Sequence, residues 1–396
     1  MLTFAPHMNE AIITLKAGKE RPVLRFHPWI FSGAIAGVSR QPDDGEVVTV
    51  VDFRGSFLGR GHFQNGSISV RILSFNDEPL NAQFWSIRIA GAFAQRSVTG
   101  FPNEKTNCFR LIHGEGDGLP GLIVDVYAQV AVVQCHSVGM YRSRAMIAQA
   151  LIEHGDGILH AVFDKSAELL GMSDGNGFLF GSSEGVEVLE NGFKFSIDFE
   201  RGQKTGFFLD QRDNRDLLAK YSKGKRVLNT FCYTGGFSVY ALGAGAKLVH
   251  SLDASKKAVE LCNVNVELNT PYQGEHLAFT ADVPEWLKTC SEKYDVIILD
   301  PPAFAKHQEA RHRAVQAYKR LNLAAMKVIN EGGILFTFSC SQVVDRDLFR
   351  NTITAASIES GRKISVLHQL TQPADHPVSI YHPEGEYLKG LVLYIH

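Results

Sequence analysis

Carboxylates and a thiol recur where the sequence predicts strands to end. Asp253 closes the run 248–253, Asp282 follows the run 277–280, Asp300 begins Asp300-Pro301-Pro302 directly after 294–299, and Cys340 follows 334–339 within Thr337-Phe-Ser-Cys-Ser341. A strand-end carboxylate can accept hydrogen bonds from a ribose diol or an amine, or share a proton with a reacting group, and a thiolate is a potent nucleophile. Ahead of these lies Leu228-Asn-Thr-Phe-Cys-Tyr-Thr-Gly-Gly-Phe237, a strand that breaks at Gly235 and Gly236 and continues as a helical pattern to Leu242. Adjacent glycines let the backbone pass close to a ligand, and the turn aims free amides and a positive helix end at it. The stretch is a candidate nucleotide-like cofactor site, with a glycine turn kept only for packing as the competing reading.

The elements that must position these groups alternate regularly from about residue 202 onward. Strands are predicted at 226–229, 248–253, 277–280, 294–299, 334–339, 364–369 and 387–394, with helices at 255–268, 283–290, 310–330 and 345–360. Such alternation builds a doubly wound α/β sheet whose ligands sit at the carboxyl ends of the strands. Asp253 then stands 24 residues beyond Asn229, close to where an acidic residue grips a ribose, and Asp282 is placed to accept from an adenine amine. Gly235-Gly236 lacks the G-x-G-x-x-G spacing of a dinucleotide oxidoreductase. Asp300-Pro301-Pro302 after the fourth strand points instead to methyl transfer from S-adenosylmethionine to a nucleobase.

Upstream, residues 11–75 read as all-β, with strands at 12–15, 47–51 and 68–72 between glycine turns. Between the first two lies Arg25-Phe-His-Pro-Trp-Ile-Phe-Ser-Gly33. On residues alone, Trp29 and Phe31 are expected to fill a small barrel; the alternative has rings stacking on bases while Arg25 meets phosphate. Residues 76–190 begin with a helix at 81–98 and continue with strands at 108–112, 122–127, 130–136 and 160–164 and a helix at 141–154. Glu115 and Asp117 in the turn 113–121 lack the spacing of a calcium loop, so a tight hairpin-like connection is expected. Glycines between 171 and 185 mark a turn-rich exit, and 186–197 is a hairpin about Asn191-Gly192.

Composition bounds the function. With 396 residues, 45% hydrophobic and 21% charged, the chain is expected to be globular, with two or three domains. No apolar run approaches the ~20 residues needed to cross a bilayer, and Pro6, His7, Asn9 and Glu10 interrupt any signal-peptide core, so a cytoplasmic protein is expected. The six cysteines form no C-x-x-C pair and the histidines no H-x-x-x-H, so neither a disulfide framework nor a metal site is expected. At a net charge of −2, a nucleic acid would have to be met by local patches. Candidates are the basic run from Arg201 to Arg226 and Lys306, Arg311, Arg313, Lys319 and Arg320, although a charge run is more often a solvated helix face.

Four stretches carry a specific resemblance: Leu228 to Phe237, Gly206-Phe-Phe-Leu-Asp-Gln-Arg-Asp-Asn-Arg215, Asp300-Pro-Pro-Ala-Phe304 and Thr337 to Ser341. Together they resemble the class I ribosomal RNA large-subunit methyltransferases that make 5-methylcytosine, over nearly the whole chain. The resemblance implies a Rossmann-like class I methyltransferase domain at 202–396, a small PUA-like β-barrel at 1–75, a central α+β domain at 76–190 and a bridging hairpin strand at 191–201. PUA domains commonly bind RNA, which turns the reading of 25–33 toward an RNA surface. S-adenosylmethionine is the implied cofactor and 23S ribosomal RNA the implied partner; a homodimer is compatible with the family.

Residue by residue, the resemblance makes Cys340 the nucleophile at cytosine carbon 6 and Asp300 the group at the ring-nitrogen edge that also borders the cofactor. Asp210 and Arg215 would flank the methionine end of the cofactor, with Phe231, Tyr233 and Gly235 against it, Asp253 on the ribose and Asp282 on the adenine. Pro301, Pro302, Phe304, Lys306 and Arg25 would meet the substrate. Many RNA cytosine-C5 enzymes carry a second cysteine after the fourth-strand motif; here Pro302 and Ala303 stand there, as suits a subfamily using the fifth-strand cysteine alone. Cys232 is read as packing. Methylation of an exocyclic base nitrogen, and a non-catalytic RNA-binding or ribosome-assembly role, are the competing readings. Neither the modified nucleotide nor the base that removes the carbon-5 proton is encoded in these motifs.

Overall fold

Period-two alternation builds the first sheet, as in Ala11–Leu15, where Ala11, Ile13 and Leu15 are buried and the residues between them half-exposed. The structure, a computed structural model, describes residues 10–305 and 307–396; the first nine residues, read above for a leader, and Lys306 lie outside the described residues. The chain forms two compact units. The first comprises Met1–Val188, Ile197–Phe207 and Ala374–Gly385, and the second Leu189–Ser196, Phe208–Pro373 and Glu386–His396.

In the first unit a six-stranded sheet runs in the order Trp29–Phe31, Ile68–Ser74, Phe57–Phe63, Val47–Val51, Ala11–Leu15, Ile35–Val38. Its core joins Ile13, Ile30, Val48, Val50, Val70 and Ile72. A second sheet places Cys108–His113, Leu122–Tyr127, Val130–Cys135, Ala161–Asp164 and Gly177–Phe180 side by side in chain order. Helices Ala82–Val98 and Val138–His154 contribute Trp85, Ile89, Ile147 and Leu151 to its core. The turn after His113 is a short 3-10 segment whose carboxylates are engaged within the protein: Glu115 accepts from Trp29 Nε1 at 2.9 Å and Asp117 pairs with the buried Arg96 at 2.6 Å. Ala374–Gly385 joins this unit through Asp375, which accepts from the Arg110 amide at 3.0 Å.

In the second unit the strands are β1 (Arg226–Thr230), β2 (Leu248–Asp253), β3 (Glu275–Thr280), β4 (Tyr294–Leu299), β5 (Ile329–Ser339), β6 (Ile364–Leu370) and β7 (Lys389–Ile395). Their order is β3-β2-β1-β4-β5-β7-β6; the first five are parallel, and β7 runs antiparallel to both β5 and β6. Helices α1 (Arg212–Ser222), α2 (Gly236–Gly243), α3 (Lys256–Glu267), α4 (Val283–Thr289), α5 (Arg311–Val328) and α6 (Arg346–Ser360) complete the fold. β4 is buried along almost its whole length, as a central parallel strand must be. Register pairs Thr230 with Leu299 and Leu299 with Thr337, so β1 and β4 end level while β5 runs two residues further, to Ser339.

Candidate active site

The turn after β1 is held in a conformation that ordinary residues avoid. Phe231 and Tyr233 have left-handed backbone, with φ of 54° and 46°, and Gly235 follows at 81°. Such residues cost about 1–3 kcal/mol each and persist where their surroundings over-determine them. Here the Cys232 amide donates to the Leu252 carbonyl at 2.8 Å, the Tyr233 amide to Asp253 Oδ2 at 2.9 Å and the Gly235 amide to the Cys232 carbonyl at 2.8 Å. Asp253 Oδ1 also accepts from the Ser255 amide at 2.9 Å, so the carboxylate is fixed at the end of β2 with a lone pair of each oxygen still available to a diol.

A Cβ on Gly235 would lie 2.5 Å from Cys262 Sγ. Gly235→Ala is therefore expected to cost about 1–2 kcal/mol in backbone conformation alone and to displace the thiol beneath. The expected readout is weaker S-adenosylmethionine binding in calorimetry; unchanged affinity would remove this turn from the cofactor site. Cys232, the rival thiol, is buried; its hydrogen bond with Cys262, together with burial, raises its pKa well above the usual thiol range. It fits the packing role read from the sequence.

Other expected cofactor residues divide by occupation. Asp210 is nearly buried and accepts from the Tyr387 hydroxyl at 2.6 Å. Arg215 lies beneath the turn: its Nε and a terminal nitrogen grip Glu190 at 2.8 and 2.7 Å, and its other terminal nitrogen donates to the Phe208 carbonyl at 3.0 Å. The guanidinium is thus a buttress, with its Cδ 2.9 Å from a Cβ placed on Gly236. Asp282 is exposed and caps α4, accepting from the Glu285 amide at 3.0 Å.

At the ends of β4 and β5, Asp300 and Cys340 are each half-buried. Between their loops stands Ser341, fully buried, whose Oγ pairs with the Tyr318 hydroxyl at 3.0 Å and accepts from the Ala305 amide at 3.4 Å. Phe304, expected to meet a base, packs against Tyr318 with ring centroids 4.7 Å apart. From β7, Lys389 Nζ donates to the Ser341 carbonyl at 2.9 Å. Burial pushes the Lys389 pKa down to about 8, with the Cys340 thiol opposing that shift. Tyr318, Ser341 and Lys389 were missed in the sequence. Only Lys389 left a signal, as a cation inside an otherwise apolar strand.

Within the first unit, Arg25 is exposed at the end of the 3-10 turn Val23–Arg25. The barrel-core expectation for Trp29 and Phe31 is overturned. In Trp29–Phe31 only Ile30 turns inward, while Phe31 is 49% and Phe26 50% exposed. His27, His382 and Glu384 approach one another, but His27 Nδ1 accepts from the Trp29 amide at 3.2 Å, which leaves its Nε2 to carry the hydrogen toward Glu384.

The basic run from Arg201 to Arg226 is not one surface: Arg212 and Arg215 are buried around Glu190, and Arg226 pairs with Glu292. On α5, Lys319 pairs with Glu359 at 2.6 Å, leaving Arg311, Arg313 and Arg320 exposed.

Acceptors at neighbouring strand ends, with the Phe208 and Tyr233 rings 5.1 Å apart beside the turn, suit the ammonium, sulfonium, diol and amine that S-adenosylmethionine presents besides its carboxylate. A family model of S-adenosylmethionine-dependent methyltransferases matches residues 175–380, and a model of PUA-like domains matches 13–75. Ribosomal RNA large subunit methyltransferase I of Tolumonas auensis is 39% identical over 393 residues, spanning 96% of this chain and 98% of the relative. The protein of that name from Shewanella frigidimarina is 40% identical over 391 residues, with the same coverage. A structure described as a SAM-dependent methyltransferase from Streptococcus mutans shares the fold at a TM-score of 0.84 and 23% identity, covering 97% of this chain and 99% of its own. A methyltransferase crystallised with SAH does so at 0.83 and 24%, covering 98% and 100%. Among the described residues no helix is long and apolar enough to cross a membrane.

Proposed function

The chain belongs to the S-adenosylmethionine-dependent methyltransferases, with a class I fold and an N-terminal PUA-like domain, and on that premise we propose that it converts a cytosine of 23S ribosomal RNA to 5-methylcytosine through a covalent bond to Cys340. The observation that carries this is the tie between the two reactive strand ends. β4 and β5 are parallel neighbours, β5 running two residues past the end of β4, and Ser341, next to Cys340, is hydrogen-bonded both to the Asp300 loop through Ala305 and to α5 through Tyr318.

Carbon 5 of cytosine is a poor nucleophile. The Cys340 thiolate adds at carbon 6, breaking the 5,6 double bond and sending its electrons into the ring as an enamine. Asp300, at the ring-nitrogen edge, supplies or shares the proton that makes this addition favourable. S-adenosylmethionine, when bound, supplies an electrophilic methyl group. A base then takes the carbon-5 proton, the double bond re-forms as the Cys340 sulfur leaves with its electron pair, and the proton lent at the ring-nitrogen edge returns to Asp300. Pro301 and Pro302 fix the backbone that presents Asp300, and half-buried Phe304 stiffens that loop against Tyr318.

The test is transfer of labelled methyl to 23S ribosomal RNA lacking the modification, followed by nucleoside analysis. Label in 5-methylcytidine is expected. Label in an N-methylated nucleoside would replace the covalent reading with transfer to an exocyclic nitrogen, and absence of any label would favour a binding role.

Arg25 and the exposed rings of Phe26 and Phe31 form the RNA-facing part of the PUA-like domain. The logarithm of the RNA affinity is expected to fall linearly with log salt, and Arg25→Ala to reduce that slope by about one. Phe31→Ala is expected to weaken binding by about 1–3 kcal/mol while leaving the slope unchanged, as loss of a stacking partner should. Filter binding across a salt series measures both; a flat salt response would count against an RNA substrate.

A further inference from the structure

A lysine in a buried strand is costly unless something nearby uses its charge. Lys389 opens β7, directly opposite Ser339 in the antiparallel ladder with β5, and only 4% of it is exposed. Its Nζ reaches the carbonyl of Ser341 at 2.9 Å. The amine therefore spans the stretch of chain, Ser339 to Ser341, whose middle residue is Cys340. That carbonyl is neutral, and among the described residues Lys389 makes no ion pair with a carboxylate.

The other charged groups in reach do not neutralise it. Arg346, at the start of α6, is itself paired with Glu386, and Asp345 caps α6 by accepting from the Leu348 amide at 2.8 Å. The Tyr318 hydroxyl, from α5, is engaged with Ser341. The remaining titratable neighbour is the Cys340 thiol, in electrostatic reach of the amine.

We propose that Lys389 is the positioning residue that ionises Cys340, taking the thiol proton onto its amine and holding the resulting thiolate as an ion pair. This rests on the covalent reading given above. In the step, the S–H bond breaks and an N–H bond forms. The electron pair left on sulfur makes the bond to carbon 6, and the ammonium stays hydrogen-bonded to the Ser341 carbonyl. When the sulfur leaves at the end of the reaction, its charge is again met by the ammonium, which restores the ion pair without a proton from solvent. Burial is what makes the amine able to accept a proton near neutral pH: a solvated lysine would already be fully protonated.

The test is the pH dependence of Cys340 alkylation by iodoacetamide in the full-length protein, read by peptide mass spectrometry so that the other five cysteines do not contribute. Lys389→Met keeps the length and apolar fit of the stem, and Lys389→Arg keeps the charge. In Lys389→Met the alkylation midpoint is expected to move up by about one pH unit or more, with methyl transfer at neutral pH about tenfold lower and recovered as pH rises. Lys389→Arg keeps a positive charge beside the sulfur but cannot take up its proton, so its alkylation midpoint is expected at or below the wild-type value, and urea denaturation of both variants separates loss of fold from loss of charge. A wild-type midpoint in folded Lys389→Met overturns the proposal. If Lys389→Met does not fold, a midpoint in Lys389→Arg at the solvated-thiol value of ~8.5 overturns it instead. Failure of the covalent reading shows separately, as methyl transfer retained in Cys340→Ala, whereas the alkylation titration needs no turnover.

Discussion

Cys340→Ala is expected to bind S-adenosylmethionine within about twofold of wild type yet to transfer methyl at about 10⁻³ of the wild-type rate or less. The two halves of this result come from different strand ends. The groups proposed to hold the cofactor lie on the turn after β1 and on Asp253 after β2, and none of the hydrogen bonds given for them passes through Cys340. Truncating the thiol removes the only activation available to carbon 5, so the loss should fall on turnover and not on cofactor affinity. RNA bearing 5-fluorocytidine gives a second readout. Fluorine cannot be removed as a proton, so wild-type protein should accumulate a denaturation-resistant RNA adduct that Cys340→Ala does not form. An adduct surviving in the variant would move the nucleophile elsewhere, and full turnover would sink covalent catalysis altogether. Asp300→Asn, which keeps the shape but not the proton, should retain cofactor binding and lose about 10²–10⁴-fold in turnover.

How much of this was legible in the sequence depends on whether the cue was local. The strand-turn-helix about Gly235, the parallel strands with their apolar runs and the carboxylates at their ends all follow from periodicity within a dozen residues. The strand Phe57–Phe63 was invisible because Gly59, Arg60, Gly61 and His62 break every β pattern. Arg60 is fully buried there because Glu10 and Asp77 neutralise it, partners far away in sequence. Helix α1 was hidden for a related reason: Arg212 and Arg215 read as a solvated charge run but point inward to Glu190. The stretch Gly177–Phe180, expected to be turn-rich, pairs as a strand with Ala161–Asp164. In the site itself, Asp253, Asp300 and Cys340 were readable because strand ends are readable. Tyr318, Ser341 and Lys389 were not: Tyr318 comes from α5 and Lys389 from the antiparallel return of β7 beside β5, and no local pattern encodes the meeting of either with Ser341.

Glu190→Ala is expected to cost about 3–5 kcal/mol of stability in the second unit, the largest effect of any single change considered for folding. Glu190 is fully buried at the end of Val186–Glu190, before the Asn191-Gly192 turn. One carboxylate there answers two guanidiniums: Arg215 binds both of its oxygens, Arg212 lies 3.5 Å from one, and the Tyr240 hydroxyl donates to it at 3.0 Å. Arginine cannot shed its proton, so removing the carboxylate leaves two positive charges together in a low-dielectric site. At about 2–4 °C per kcal/mol for a unit of this size, the melting temperature should fall by roughly 10 °C. Glu190→Gln keeps the volume and a hydrogen-bond acceptor but not the charge, and should recover only part of the loss. If the carboxylate acts through charge, Glu190→Leu with Arg215→Met should be less destabilised than Glu190→Leu alone, because fewer buried charges then remain unanswered. Because Arg215 packs under Gly236, the same loss should loosen the cofactor turn, and S-adenosylmethionine affinity should drop in parallel with stability. Urea denaturation alongside calorimetry distinguishes the outcomes: unchanged stability in Glu190→Ala would mean that water replaces the carboxylate, and the pair would then be no buttress of the cofactor site.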